Sequence, residues 1–164
     1  MSINFHSYFA EIVNAVSSKS KNNKVKIGAI IVNDDNVLLS SGYNSFVRNC
    51  NDDPRKLIHE KHIYIEHAEK NAIFNAAREG IRLKDTTMYC TWYPCIGCAR
   101  AIIQVGIKHV VSLTEIEDCP IKWETSLVRG KQLLKECKVT TQYYDCNKVI
   151  LDNMIKPSQP WKRE

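Results

Sequence analysis

A sandwich of helices on a mixed β-sheet, antiparallel at one edge and parallel elsewhere, is the fold class this sequence predicts. Its apolar patterns run in the order helix, hairpin, then helix alternating with strand. Strands that alternate with helices pair in parallel, because each crossover returns the chain to the same end of the sheet. The hairpin at the front supplies the antiparallel edge.

Each element follows from its residues. Residues 3–18 place Ile3, Phe5, Phe9, Ile12, Val13 and Val16 on one helical face. Val25 to Val32 is a β-branched run, and Val37 to Tyr43 is a second one after Asn33-Asp34-Asp35-Asn36, so the two read as a hairpin. Residues 44–66 are polar and irregular, and a connection that long inside a small domain is functional or mobile as a rule. His67 to Arg78 is a helix with Ala68, Ala72, Ile73, Ala76 and Ala77, stopped by Gly80. Thr86 to Trp92 is β-rich. Pro94 is placed to open the first turn of a helix that continues from Cys95 to Val105 and ends at Gly106. His109 to Leu113 is a short strand, Ser126 to Glu136 a helix and Lys138 to Tyr144 a last strand. Residues 1–154 form one domain on this reading. Residues 155–164, around Pro157 and Pro160, form a loose tail.

The composition agrees. At 164 residues, the chain suits one domain of about 100–200 residues. Hydrophobic residues at 44% and charged residues at 25% exclude disorder, collagen and coiled coil as whole-chain readings. No apolar run approaches the roughly 20 residues that cross a bilayer. Residues 1–6 lack the basic start and long apolar stretch of a signal peptide. A cytoplasmic protein without a membrane partner is expected. The net charge of +5 suits an anionic substrate, while a nucleic-acid reader would often be more basic. Lys19, Lys21, Lys24 and Lys26 form a basic run that reads as a solvated helix end and loop rather than a phosphate patch.

Seven cysteines cannot all pair within one chain, and a reducing compartment disfavours disulfides, so metal-ligand spacing is the useful question. His67-Ala68-Glu69 and Pro94-Cys95-Ile96-Gly97-Cys98 each open a helix. Together they match the H-x-E…P-C-x-x-C signature known for the zinc nucleobase deaminases. His67, Cys95 and Cys98 would supply three ligands and leave a fourth tetrahedral position for water, which is the catalytic pattern rather than the closed structural one. Both motifs lie at helix N-termini, where free N–H groups and the dipole favour thiolates and developing negative charge. Glu69, two positions after His67, is the candidate proton shuttle. It would take a proton from the water, pass it to the ring nitrogen and help protonate the leaving amine.

A structural zinc knot is the rival, and it would draw a fourth ligand from Cys50, Cys90, Cys119, Cys137 or Cys146. Cys90 reads as a small buried hydrophobe, and His109 as structural. His59 and His62, with Glu60, are candidates for a second metal site, against the simpler reading of a solvated loop.

With these residues the chain resembles the cytidine and deoxycytidylate deaminase superfamily, and within it the deoxycytidylate (dCMP) deaminase branch. The resemblance covers about residues 25–144. It is carried by residues 27–32, Gly42-Tyr43-Asn44, His67-Ala68-Glu69-Lys70-Asn71-Ala72-Ile73 and residues 91–102. It implies a three-layer α/β/α cytidine-deaminase-like sandwich with a central five-stranded mixed sheet. It also implies a zinc-dependent hydrolase that turns dCMP into dUMP and ammonia, feeding thymidylate synthesis. Related deaminases acting on cytidine, cytosine, dCTP or tRNA adenosine are the nearest alternatives. A non-enzymatic zinc-stabilised nucleotide-binding module is the alternative of another class. The implied substrate contacts are Asn44, Asn71, the Ala68 N–H and the candidate phosphate contact Arg48, with Trp92 and Tyr93 as walls of the base pocket. The implied assembly is a homo-oligomer, with a hexamer the suggested size. Many members carry Gly-Tyr-Asn-Gly-x-Pro-x-Gly-x-x-Asp-Asp, linked to regulation by dCTP and dTTP. Here Ser45, Val47 and Asn49 replace the two later glycines and the proline, while Asp52-Asp53 remains. The departure bears on triphosphate control rather than on catalysis.

Overall fold

The computed structural model of the chain describes residues 4–22, 25–51, 53 and 61–145. Of the candidate second metal site, His59, Glu60 and the side chain of His62 lie outside what is described, as does the tail at 155–164.

Helix α1 (Phe5–Ser17) is followed by strands β1 (Gly28–Val32), β2 (Leu38–Tyr43) and β3 (Ser45–Phe46). Then come the single turn α2 (Lys61–Tyr64), β4 (Ile65–Glu66) and α3 (Ala68–Arg78). The remainder is β5 (Thr87–Cys90), α4 (Ile96–Gln104), β6 (His109–Ser112), α5 (Ile121–Glu136) and β7 (Thr140–Tyr143). Five strands form one mixed sheet in the order β2-β1-β5-β6-β7, and the expected five-stranded sandwich is found. The antiparallel part reaches further in than expected. β1 pairs antiparallel with both β2 and β5, and only β5–β6 and β6–β7 are parallel.

Strand alternation sends side chains to two separate cores. Ile30, Val32, Tyr89 and Val111 meet Phe9 and Val13 of α1 on one face. Ala29, Ile31, Met88, Cys90 and Val110 meet Ala72 and Ala76 of α3, Ala99 and Ile102 of α4, and Leu127 and Leu134 of α5 on the other. The second face carries the two helices whose N-termini hold the candidate motif.

The hairpin turn forms as its Asn/Asp cluster predicts. Val37 N–H donates to Asn33 Oδ1, and Asn36 takes a left-handed φ of 62°. Gly80 and Gly106 end α3 and α4 in the same left-handed region.

Four differences from expectation bear on the site and its supports. The stretch 44–66 is not wholly irregular, since β3 and β4 pair antiparallel through Ser45–Glu66 and Phe46–Ile65. β1 begins at Gly28 rather than at Val25. Pro94 does not open the helical turn. Cys95 is the N-cap, at φ −67° and ψ 167°, and Pro94 precedes it. Helix α5 starts at Ile121, five residues before Ser126, behind Pro120. Ile121 is 84% exposed, so the first turn carries no apolar periodicity to announce it. Asn49, standing where the family stretch has its last glycine, adopts φ 65°. Asparagine tolerates that region better than most residues, so the turn persists without glycine.

Candidate metal centre

His67 and Cys95 occupy equivalent positions. Each is the N-cap of its helix with extended backbone, and neither uses its side chain to cap. That frees both side chains to turn toward each other across the gap between α3 and α4. Cys98, in the first turn of α4, comes with them. Cys95 Sγ lies 3.5 Å from His67 Nδ1, and Cys98 Sγ lies 3.4 Å from the same atom. The three donor atoms are all within 4.8 Å of one another. Tetrahedral zinc, with Zn–S of about 2.3 Å and Zn–N of about 2.0–2.1 Å, separates a nitrogen from a sulfur ligand by about 3.6 Å. The two observed nitrogen–sulfur separations therefore fit zinc. Among the described residues no fourth Cys, His or carboxylate completes the group. Cys90 and Cys119 are buried elsewhere, with their sulfurs against the carbonyls of Val111 and Glu115.

Of the three donors, Cys95 is the one favoured in its anionic form. The Cys95 thiol is pulled down to about 3, chiefly by the hydrogen bond from Cys98, with burial opposing and His67 adding to the fall. Cys98, as the donor of that bond, is pushed well up. His67 is raised by its hydrogen bond to Cys95, although burial works against it. Its backbone is held too, since the His67 N–H donates to Glu66 Oε1 at 3.0 Å.

Glu69 sits one residue into α3 and is only 4% exposed. Burial pushes its carboxyl above the ordinary range, and the neighbouring His67 imidazole opposes the rise. A buried carboxyl beside a metal-ligand cluster is a group placed to accept and pass on a proton. Ala68, fully buried, is the first residue of α3. Its N–H is one of the four at a helix start that have no partner within the helix.

Asn44, Arg48 and Asn71 lie together around a cavity of about 280 Å³ to which His67, Cys95 and Cys98 do not contribute. The Asn44 side chain accepts from Ile27 N–H at 2.9 Å and donates to the Val25 carbonyl at 3.0 Å. The Asn71 amide donates to Tyr43 O and to Ser45 Oγ, tying α3 to the end of β2. The Arg48 guanidinium donates to Asn75 Oδ1. Tyr93 is 6% exposed in the core, with Lys131 Nζ 5.7 Å from its ring centroid. Trp92 is half-buried against the same core.

One neighbour went unread in the sequence. The Trp123 ring stands against the His67 imidazole, with centroids 5.7 Å apart and planes at 74°. With α5 expected only from Ser126, Trp123 fell in a loop. A helix begun at Ile121 would have put it in register with Leu127 and Gly130.

Comparisons with known proteins give the family and the fold. Residues 3–114 match the family model described as the cytidine and deoxycytidylate deaminase zinc-binding region. The human deoxycytidylate deaminase is 30% identical over 156 residues, covering 88% of this chain and 83% of the relative. A Drosophila melanogaster protein described as "Probable deoxycytidylate deaminase" is 35% identical over 125 residues. That match covers 69% of this chain and 61% of the Drosophila protein. The crystal structure of the dCMP deaminase of cyanophage S-TIM5, in complex with dCMP and dUMP, superposes with a TM-score of 0.70 at 21% identity. It covers 88% of this chain and 99% of its own, and shows that the fold is shared.

Proposed function

This chain belongs to the cytidine and deoxycytidylate deaminase family, and from that membership we propose that it hydrolyses dCMP to dUMP and ammonia. The convergence of His67, Cys95 and Cys98 on one point, with the buried carboxyl of Glu69 beside it, carries the reading. His67 Nδ1 and the two sulfurs hold zinc, which when bound supplies the Lewis acidity that makes water a nucleophile near neutral pH.

The chain's own residues do the rest. Glu69 takes a proton from the attacking water as the water oxygen bonds to C4 of the cytosine ring. It passes that proton to ring N3, and later helps protonate the exocyclic amine as the C4–N bond breaks and ammonia leaves. Burial of Glu69 serves the first of these transfers, because a carboxyl raised above its ordinary range accepts a proton more readily than an exposed one. The Ala68 N–H, at the positive end of α3, is assigned to the pyrimidine carbonyl. Asn44, Asn71 and Arg48 are assigned to the nucleotide's sugar and phosphate, with Trp92 and Tyr93 beside the base. A cytoplasmic homo-oligomer is part of the same proposal. Among the described residues no helix is long and apolar enough to cross a membrane.

A substrate panel tests the assignment. Zinc-loaded protein is offered dCMP, dCTP, cytidine, cytosine and a tRNA substrate, with and without added dCTP and dTTP, and ammonia release is followed. Preference for dCMP is the expected result. A preference for any other member reassigns the substrate, and no deamination of any of them contradicts the enzymatic reading.

A further inference from the structure

The side of α5 that faces the metal centre carries three contacts whose spacing is that of one helical stripe. Trp123 lies against the His67 ring. Three residues on, Ser126 Oγ accepts the Ile96 N–H at 3.4 Å. Ile96 is the first residue of α4, and its N–H is one of the four at a helix start that have no partner within the helix. The Cys95 side chain caps none of them, and its sulfur is turned to His67. Ser126 supplies an acceptor for the Ile96 N–H from a different helix. Four residues further, Gly130 is buried so tightly that a Cβ there would stand 2.4 Å from the Pro94 carbonyl oxygen and 3.1 Å from the Cys95 carbonyl carbon. Both are backbone atoms of the turn that presents Cys95.

We propose that this stripe of α5, residues Trp123, Ser126 and Gly130, is the positioning element of the metal centre, with Trp123 setting the plane of the His67 ring. The inference rests on the assignment of His67, Cys95 and Cys98 as the zinc ligands. The orientation of an imidazole ligand is generally fixed by hydrogen-bonded partners, whose loss lowers metal affinity by about 10–100-fold, and the same range is taken for a ring held by packing. Among the described contacts of the His67 ring, the flat side chain of Trp123 is the one that comes from neither ligand helix. Trp123, on α5, thus couples α3 to the turn that Ser126 and Gly130 steady at the start of α4.

The test uses the full chain and zinc alone. Zinc affinity is measured by competition with a chromophoric chelator for the parent, Trp123→Ala, Trp123→Phe and Ser126→Ala. The visible spectrum of each cobalt-loaded form reports ligand geometry, and thermal unfolding of the metal-free forms reports folding. The expected result is a zinc affinity about 10–100-fold weaker in Trp123→Ala, with shifted cobalt bands. Trp123→Phe should stay nearer the parent, and Ser126→Ala should weaken binding without an equal loss of metal-free stability. Parental affinity and parental cobalt bands in Trp123→Ala overturn the inference. Where Trp123→Ala does not fold, Trp123→Leu keeps an apolar side chain of intermediate size, removes the ring and is judged by the same two outcomes. A parent that takes up no zinc overturns the ligand assignment itself, which separates that failure from failure of the positioning role.

Discussion

Replacing Gly42 by alanine should damage catalysis from a position outside the metal-ligand cluster. Gly42 lies in β2, directly beneath α3. A Cβ there would stand 2.3 Å from Ala72 N, 2.4 Å from the Ala68 carbonyl oxygen and 2.8 Å from Asn71 C, where ordinary contact begins near 3.4 Å. All three are helix backbone, so no side chain can swing aside, and α3 must retreat by about 1 Å. Overpacking of this kind costs about 1–3 kcal/mol. For a domain of this size each kcal/mol lowers the Tm by about 2–4 °C. The larger effect is on chemistry, because α3 carries His67 at its cap and Glu69 in its first turn. A misplacement of about 1 Å in a catalytic constellation costs about 100-fold in rate. Circular dichroism melts and ammonia release from dCMP measure the two effects. Gly97→Ala is the contrast, since its Cβ would meet nothing nearer than Cys95 Sγ at 3.9 Å. Lowered Tm and kcat in Gly42→Ala, with neither lowered in Gly97→Ala, is the expected pattern. Parental Tm and kcat in Gly42→Ala would refute the claim that α3 is seated on this glycine.

Other outcomes follow from the same contacts. Cys98→Ser should bind zinc far more weakly than the parent, as dialysis and metal analysis would show, because it removes one of three ligands; tight stoichiometric zinc in this variant contradicts the ligand set. Tyr89→Phe removes the hydrogen bond between Tyr89 Oη and His6 Nδ1 at 2.9 Å and should lower stability by about 0.5–1.5 kcal/mol in urea melts. The pH sign for that tyrosine follows from its burial, which raises its hydroxyl above 10, with Tyr144 adding to the rise. The folded state then holds its proton more tightly than the unfolded chain. The contribution is whole below pH 10 and is lost as pH rises through the folded value. Parent stability should therefore fall more steeply than that of Tyr89→Phe in alkaline urea melts, and parallel curves contradict the assignment.

The parts of the site legible in the sequence are those written at short range. His67 and Glu69 are two residues apart, Cys95 and Cys98 three, and each pair opens a helix whose apolar spacing and terminal glycine are visible in the residues. Their convergence is not local, but the chemistry of three soft donors and one carboxylate permits few other uses. The β3–β4 ladder was hidden because two residues per strand leave no alternation to detect. The antiparallel pairing of β1 with β5 joins Ala29 to Cys90 across some sixty residues, and no local pattern encodes such a choice. Trp123 was hidden for a third reason. The first turn of α5 faces solvent on one side and the metal ligands on the other, so it lacks the apolar stripe by which helices are read. Asn44 shows the reverse case, in which a residue assigned to the nucleotide also holds Val25 and Ile27 with its amide.

Paired zinc content and dCMP turnover, measured on the same preparations of the parent and of Glu69→Ala, bear most directly on the central claim. The parent should hold one zinc per chain and release ammonia from dCMP. Glu69→Ala should hold the same zinc and lose turnover by about 10²–10⁴-fold, as removal of a general acid–base does. Parental turnover in Glu69→Ala at equal zinc content would contradict the account.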